Sequence, residues 1–182
     1  KLIDAIDGME ESFRFLPTKE FPYLKDGLAP YFYDWLAHPR ADEYWGRWRI
    51  EDHYDSITVP TLHIGGWYDI FLKGTLRNFR GMGDRGPTDT VRNAQKLLVG
   101  PWQHVGAGSE VSGEAYFGLM ANEASIDLQG LHLRWYDYWL KGIDNGIMEE
   151  PPVRIFVMGD NLWRYEQEWP LARTEYTDYY FH

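Results

Sequence analysis

The sequence predicts an α/β fold, and three stretches carry the prediction. ITVPTLHIGGWYD (57–69) is a β-branched and apolar run that stops at two glycines, and it reads as a buried strand. IFLKGTLRNFRGMG (70–83) follows, with Phe71, Leu72, Leu76 and Phe79 at helical spacing. AQKLLVGPWQHVG (94–106) is a second apolar strand, which Gly100-Pro101 is expected to stop. A strand, a helix and a strand in this order predict a parallel α/β unit.

The elements around this unit follow in order. Residues 1–57 read as helical and irregular. DAIDGMEESFRFLP (4–17) and DGLAPYFYDWLAHPRADEYWGRW (26–48) mix aromatics with acids at roughly helical spacing, and Pro17, Pro22, Pro30 and Pro39 cut them into short pieces. Trp35, Trp45 and Trp48 are candidates for a covering surface. DRGPTDTVRN (84–93) reads as a polar loop, and residues 106–118 as a second loop. IDLQGLHLRWYDYWLKG (126–142) is a helix with Leu128, Leu131, Trp135, Tyr138 and Trp139 on one face. Lys141 falls in its last turn, and Gly142 suits a left-handed cap. GIDNGIMEEPP (142–152) is a linker, and VRIFVMGDNLWRYEQEWP (153–170) alternates as a hairpin. TEYTDYYFH (174–182) is strand-like. The switch from helical period to short strands places a domain boundary near 145–152.

Composition removes several classes of function. The chain has 182 residues and a net charge of −10, so a phosphate backbone is repelled and nucleic acid is not an expected partner. No basic amphipathic stretch and no apolar run of spanning length points to a membrane. There is no cysteine, which removes disulfides, thiol nucleophiles and cysteine-based zinc sites together. The six histidines show no HExxH or comparable spacing, so no metal and no cofactor is expected. Aromatic residues make up 17% of the chain, which favours large rigid side chains in a core or around a pocket.

In an open parallel sheet, reactive groups gather beyond the carboxyl ends of the strands. The first predicted strand ends at Asp69, and the second is followed at once by His104. An aspartate that orients an imidazole is the logic of a hydrolase triad, and Ser…Asp…His is the chain order of α/β-hydrolases. The plainer alternatives stay open here. Asp69 also suits a cap for the helix after it, and His104 also suits an ordinary loop. Trp67, Phe71 and Trp102 are candidates for a pocket wall or for core. His38, His53, His63, His132 and His182 read as structural, with His63 facing the interior.

HPRADEYW, VPTLHIGGWYDIF, KLLVGPWQH, LRWYDYWLKGIDNG and PPVRIFVMGDNLWR…WPLA occur in that order from about Asp34 onward. This combination resembles the cocaine esterase and X-prolyl dipeptidyl-peptidase family of serine hydrolases, which includes α-amino acid ester hydrolases. The resemblance implies a helical cap portion over 1–57 and the carboxy-terminal strands and helices of an α/β-hydrolase domain over 58–145. It implies the first strands of a β jelly roll over 151–182. It makes Asp69 the triad acid, His104 the triad base, and Phe71 a contributor to the substrate pocket. It implies a small ester, amide or short peptide as substrate, and leans towards a bacterial, cytoplasmic protein.

The sequence departs from the family pattern in one respect. The nucleophile belongs in a G-x-S-x-G elbow upstream of the cap, and Ser12, Ser56, Ser109, Ser112 and Ser125 lie in no such turn. The expectation is an incomplete fragment, inactive alone, whose serine lies in a missing upstream segment. A sheet cut between strands exposes an edge, so association with that segment or with a second copy is expected. The alternative is a non-catalytic, aromatic-rich binding or interaction module. The discriminator is whether Asp69 and His104 come within hydrogen-bond reach.

Overall fold

The computed structural model describes residues 8–24, 28–106 and 108–181. Residues 4–7, 26–27 and His182, which belong to stretches read above as helix, helix and strand, lie outside them. The chain forms two compact units, Lys1–Arg49 and Ile50–His182.

Among the described residues the first unit holds the short α-helices α1 (Met9–Arg14), α2 (Pro30–Ala37) and α3 (Glu43–Gly46). Asp42 links two of them. Its Oδ1 accepts from the Tyr44 N–H to cap α3, and its Oδ2 pairs with His38 Nδ1 at 2.7 Å at the end of α2. Trp35 and Trp48 are exposed, and the Trp45 indole N–H donates to the His38 carbonyl at 2.7 Å.

The second unit is a mixed α/β layer structure. Its four-stranded sheet has the order β1-β2-β5-β6, with β1 (Thr61–Tyr68), β2 (Gln95–Gln103), β5 (Val153–Val157) and β6 (Leu162–Glu166). β1, β2 and β5 are parallel, and β6 returns antiparallel through a hairpin. α4 (Leu72–Arg85) joins β1 to the short α5 (Asp89–Asn93), and α6 (Leu128–Lys141) lies between β2 and β5. A two-residue hairpin, β3 (Val111–Ser112) with β4 (Ala115–Tyr116), sits in the loop after β2.

The period of two along β2 splits its side chains between two cores. Leu97 and Val99 join Phe79, Val153 and Ile155 on the face covered by α4. Leu98 and Trp102 join Ile126 and Leu128 on the face covered by α6. A strand covered on both faces reads as a continuous apolar run, which is why KLLV lacks polar alternation. Each fully buried Leu, Val or Trp side chain contributes on the order of 1.5–3 kcal/mol. Lys96 is also buried on β2, and its ammonium donates to the Glu150 and Pro151 carbonyls, at 2.5 and 3.4 Å.

Several expectations change. The compact units divide at 49/50, and residues 50–57 pack on α4: Tyr54 is buried and its hydroxyl donates to Asn78, while Arg77 pairs with Glu51 at 3.0 Å. The expected loop 84–93 contains α5, because the Thr88 hydroxyl accepts from the Val91 N–H and caps a helical turn that buries Val91. β2 does not stop at Gly100-Pro101 but runs through them to Gln103. The hairpin β5–β6, which the resemblance places in a jelly roll, is hydrogen-bonded into the sheet of β1 and β2. Residues 174–181 form no strand, and Tyr176, Tyr179, Tyr180 and Phe181 are exposed. Among the described residues no helix is long and apolar enough to cross a membrane.

Candidate active site

Because β1 and β2 are parallel, their carboxyl ends meet at one edge of the sheet. Asp69 follows the last residue of β1 and His104 the last residue of β2. The structure brings the two together: His104 Nδ1 lies 3.2 Å from Asp69 Oδ2. That is the long end of the N–H···O range. The pairing makes Nδ1 the protonated nitrogen and leaves Nε2 as the acceptor.

Asp69 is also expected to cap the helix after it; it instead shapes the turn that leads into α4, whose N-cap residue is Phe71. Its Oδ1 accepts from the Phe71 N–H at 2.8 Å, its own N–H donates to the Gly66 carbonyl, and its carbonyl accepts from the Leu72 N–H. The carboxylate is therefore fixed by the start of α4 through one oxygen and meets the imidazole with the other. Its side chain is 13% exposed, whereas that of His104 is 56% exposed. An oriented, shielded acid behind an accessible base is the arrangement general-base chemistry needs.

Phe71 stands beside the base. Its ring meets the His104 ring edge-on, with centroids 4.7 Å apart and planes at 77°. Phe71 is 57% exposed, so one side of it is open to a ligand. Ile70 and Val105, next in sequence to Asp69 and His104, are also well exposed, and neither is among the expected site residues. Their signal was an apolar residue one step beyond each polar strand tip.

Trp67 and Trp102 are candidates for a pocket wall or for core; Trp102 is buried in the core, and Trp67 is partly buried against it. Trp67 packs with the α4-side cluster, lies 5.7 Å from the Trp169 ring, and donates its indole N–H to the Phe156 carbonyl at 2.7 Å. Trp102 is 1% exposed and donates to the Ala121 carbonyl at 2.7 Å. A buried indole requires such an acceptor, and the fold supplies both from backbone.

His63, His132 and His38 have structural partners. His63 is buried, and its Nε2 lies 2.8 Å from Gln95 Oε1. Burial pushes its imidazole below the ordinary value, against the opposing effect of the Gln95 bond. His132 Nδ1 faces the Leu128 carbonyl at 2.8 Å within α6, and His38 stacks on Tyr44 at 4.3 Å. The serines with described bonds are engaged elsewhere. The Ser112 hydroxyl donates to the Pro101 carbonyl, the Ser125 hydroxyl donates to the Met120 carbonyl, and that of Ser109 accepts from the Val111 N–H.

Comparison with known proteins bears on this geometry. The family profile described as X-Pro dipeptidyl-peptidase (S15 family) matches residues 11–106, and the X-Pro dipeptidyl-peptidase C-terminal non-catalytic domain matches 145–182. The cocaine esterase of Rhodococcus sp. (strain MB1 Bresler) is 33% identical over 168 residues, which cover 90% of this chain and 27% of that protein. Among solved structures, an aminopeptidase from a marine sediment Thaumarchaeota archaeon superposes with a TM-score of 0.64 at 22% identity, over 79% of this chain and 23% of that one. An α-amino acid ester hydrolase superposes with a TM-score of 0.61 at 22% identity, over 78% and 23%. The chain thus spans about a quarter of the length of these relatives.

Proposed function

The chain belongs to the X-Pro dipeptidyl-peptidase (S15) family, and from that premise we propose that it supplies the acid and base of a serine hydrolase cleaving ester or amide bonds. The observation that carries the proposal is the 3.2 Å approach of His104 Nδ1 to Asp69 Oδ2 at the tips of parallel strands. The same distance weighs against the binding-module reading, for which the pair has no use.

In the proposed reaction His104 Nε2 takes the proton of a serine hydroxyl as the serine oxygen attacks the substrate carbonyl. Asp69 holds the tautomer and stabilises the imidazolium that forms. The imidazolium then gives its proton to the leaving alcohol or amine, and an acyl-enzyme remains. Water attacks that ester with His104 again as base, releasing the acid and restoring the serine. Phe71, Ile70 and Val105 offer an apolar rim for the acyl or leaving group, with Phe71 in contact with the base.

The serine and the oxyanion donors of this reading belong to the part of the protein upstream of these residues. Residues 1–57 are assigned to the helical cap. Residues 58–145 are assigned to the end of the hydrolase domain, and 151–182 to the start of a β-sandwich whose first hairpin completes the hydrolase sheet. β1 is the outer strand of the sheet among the described residues, so a strand of the same protein, or a second copy, would cover its free edge.

The test is fluorophosphonate labelling of the full-length protein, with the labelled peptide mapped by mass spectrometry. The expected outcome is one labelled serine upstream of this segment, with labelling lost in His104→Ala. A folded full-length protein that takes no label overturns the proposal.

A further inference from the structure

Trp102 and His104 are two residues apart, and on a flat strand such side chains share a face. Here they do not. Trp102 packs with Leu98, Ile126 and Leu128 on the α6 side. His104 meets Asp69 beside the start of α4, where the same carboxylate accepts from the Phe71 N–H.

The register explains the difference. Thr61 to Gly66 face Gln95 to Gly100 one for one, and then Tyr68 faces Gln103. Trp67 therefore stands opposite both Pro101 and Trp102, a β-bulge with one extra residue in β2. Carried one step on, this register puts Asp69 beside His104. Without the extra residue Asp69 would stand opposite Gln103, and His104 would follow Trp102 onto the far face.

Two glycines make the bulge fit. A Cβ on Gly66 would lie 2.6 Å from the Trp102 carbonyl carbon and closer still to its oxygen. A Cβ on Gly100 would lie within 2.5 Å of the Trp102 indole ring. The bulge is held from outside by the Ser112 hydroxyl on the Pro101 carbonyl and by the Trp102 indole on the Ala121 carbonyl. Pro101 brings no N–H, and a bulge asks for none.

We propose that this bulge, seated over Gly66 and anchored by Trp102, is the device that turns His104 onto Asp69, and that Gly66 and Trp102 are positioning residues for the base. The inference rests on the hydrolase reading above. Its test is a double-mutant cycle in the full-length protein, reading kcat and KM for a p-nitrophenyl ester. Asp69→Asn is expected to lower kcat by about 10⁴-fold, the usual effect of removing the triad acid's charge. Gly66→Ala is expected to lower kcat by roughly 100-fold or more with KM nearly unchanged, because it misplaces the base rather than the substrate. The two losses should not multiply: the double variant should sit within about tenfold of Asp69→Asn alone. Gly74→Ala, in open space on α4, is the control and should leave kcat unchanged. If Gly66→Ala does not fold, Trp102→Phe replaces it in the cycle. It deletes the Ala121 anchor without a backbone clash and should lower kcat by roughly tenfold, again without multiplying. Losses that multiply overturn the bulge inference and leave the hydrolase reading standing. An Asp69→Asn protein with native kcat overturns the hydrolase reading and the inference with it.

Discussion

Tyr54 and Gly81 share one space: a Cβ on residue 81 would lie 2.5 Å from Tyr54 Cζ, and closer to the ring carbon beside it. Tyr54 is buried, its hydroxyl donates to Asn78 at 2.9 Å, and the Arg85 guanidinium lies 5.2 Å from its ring centre. This contact ties residues 50–57 to α4. Gly→Ala inside a helix ordinarily stabilises by about 1 kcal/mol. Here overpacking against an aromatic ring opposes it at about 1–3 kcal/mol. We expect Gly81→Ala to lower stability in denaturant titration. A rise of the midpoint would show that the ring has room to move.

Hydrolysis should require more than this chain. The 182 residues purified alone are expected to turn over no p-nitrophenyl ester above buffer, since none of their serines stands in a G-x-S-x-G turn and Ser109, Ser112 and Ser125 are bonded to other partners. Turnover that disappears in His104→Ala would contradict this.

Phe71 touches the base and is open to solvent. In the full-length protein Phe71→Ala should raise KM for an aromatic acyl ester by roughly tenfold, equivalent to about 1.4 kcal/mol of lost ring contact. Phe71→Tyr should restore most of it. An unchanged KM with a reduced kcat would instead assign Phe71 to holding the imidazole.

His63 gives the fold a pH dependence of defined sign. Burial holds its native value below the unfolded value of 6.5. The unfolded chain therefore takes up the proton first, and the stability contributed by neutral His63 is present above pH 6.5 and lost as pH falls below it. Urea midpoints between pH 8 and pH 5 should fall more steeply for the native sequence than for His63→Gln. Parallel curves would mean that other groups set the acid limit.

The site was legible where the signal is local. An apolar run closed by glycines and followed by an acid marks a strand tip, and two such runs in sequence mark parallel neighbours. Asp69 and His104 were found in this way, and so were α4 and α6, whose apolar stripes repeat at helical spacing. The capping role expected of Asp69 falls to Phe71 instead, and the Asp69 carboxylate holds the turn before α4 with one oxygen while meeting the imidazole with the other.

Other features depended on partners distant in the chain. Trp67 and Trp102 carry the same local signature as a pocket wall, and what they meet, the carbonyls of Phe156 and Ala121 and the apolar side chains of the two cores, lies far along the chain. Gly100-Pro101 reads as a stop, yet the strand continues because a bulge over Gly66 absorbs the proline. The hairpin after residue 152 lies in the segment that matches the C-terminal non-catalytic domain, and its β5 pairs with β2, a partner no local signal names. Periodicity and end signals, which reside in neighbouring residues, determined β1, α4, β2, α6 and the β5–β6 hairpin and the polar groups at the strand tips, but not α5 or the absence of a strand over 174–181. The tertiary structure decided which face each side chain takes and which strand it pairs with, because one residue of register, set by contacts far along the chain, reverses a strand's faces.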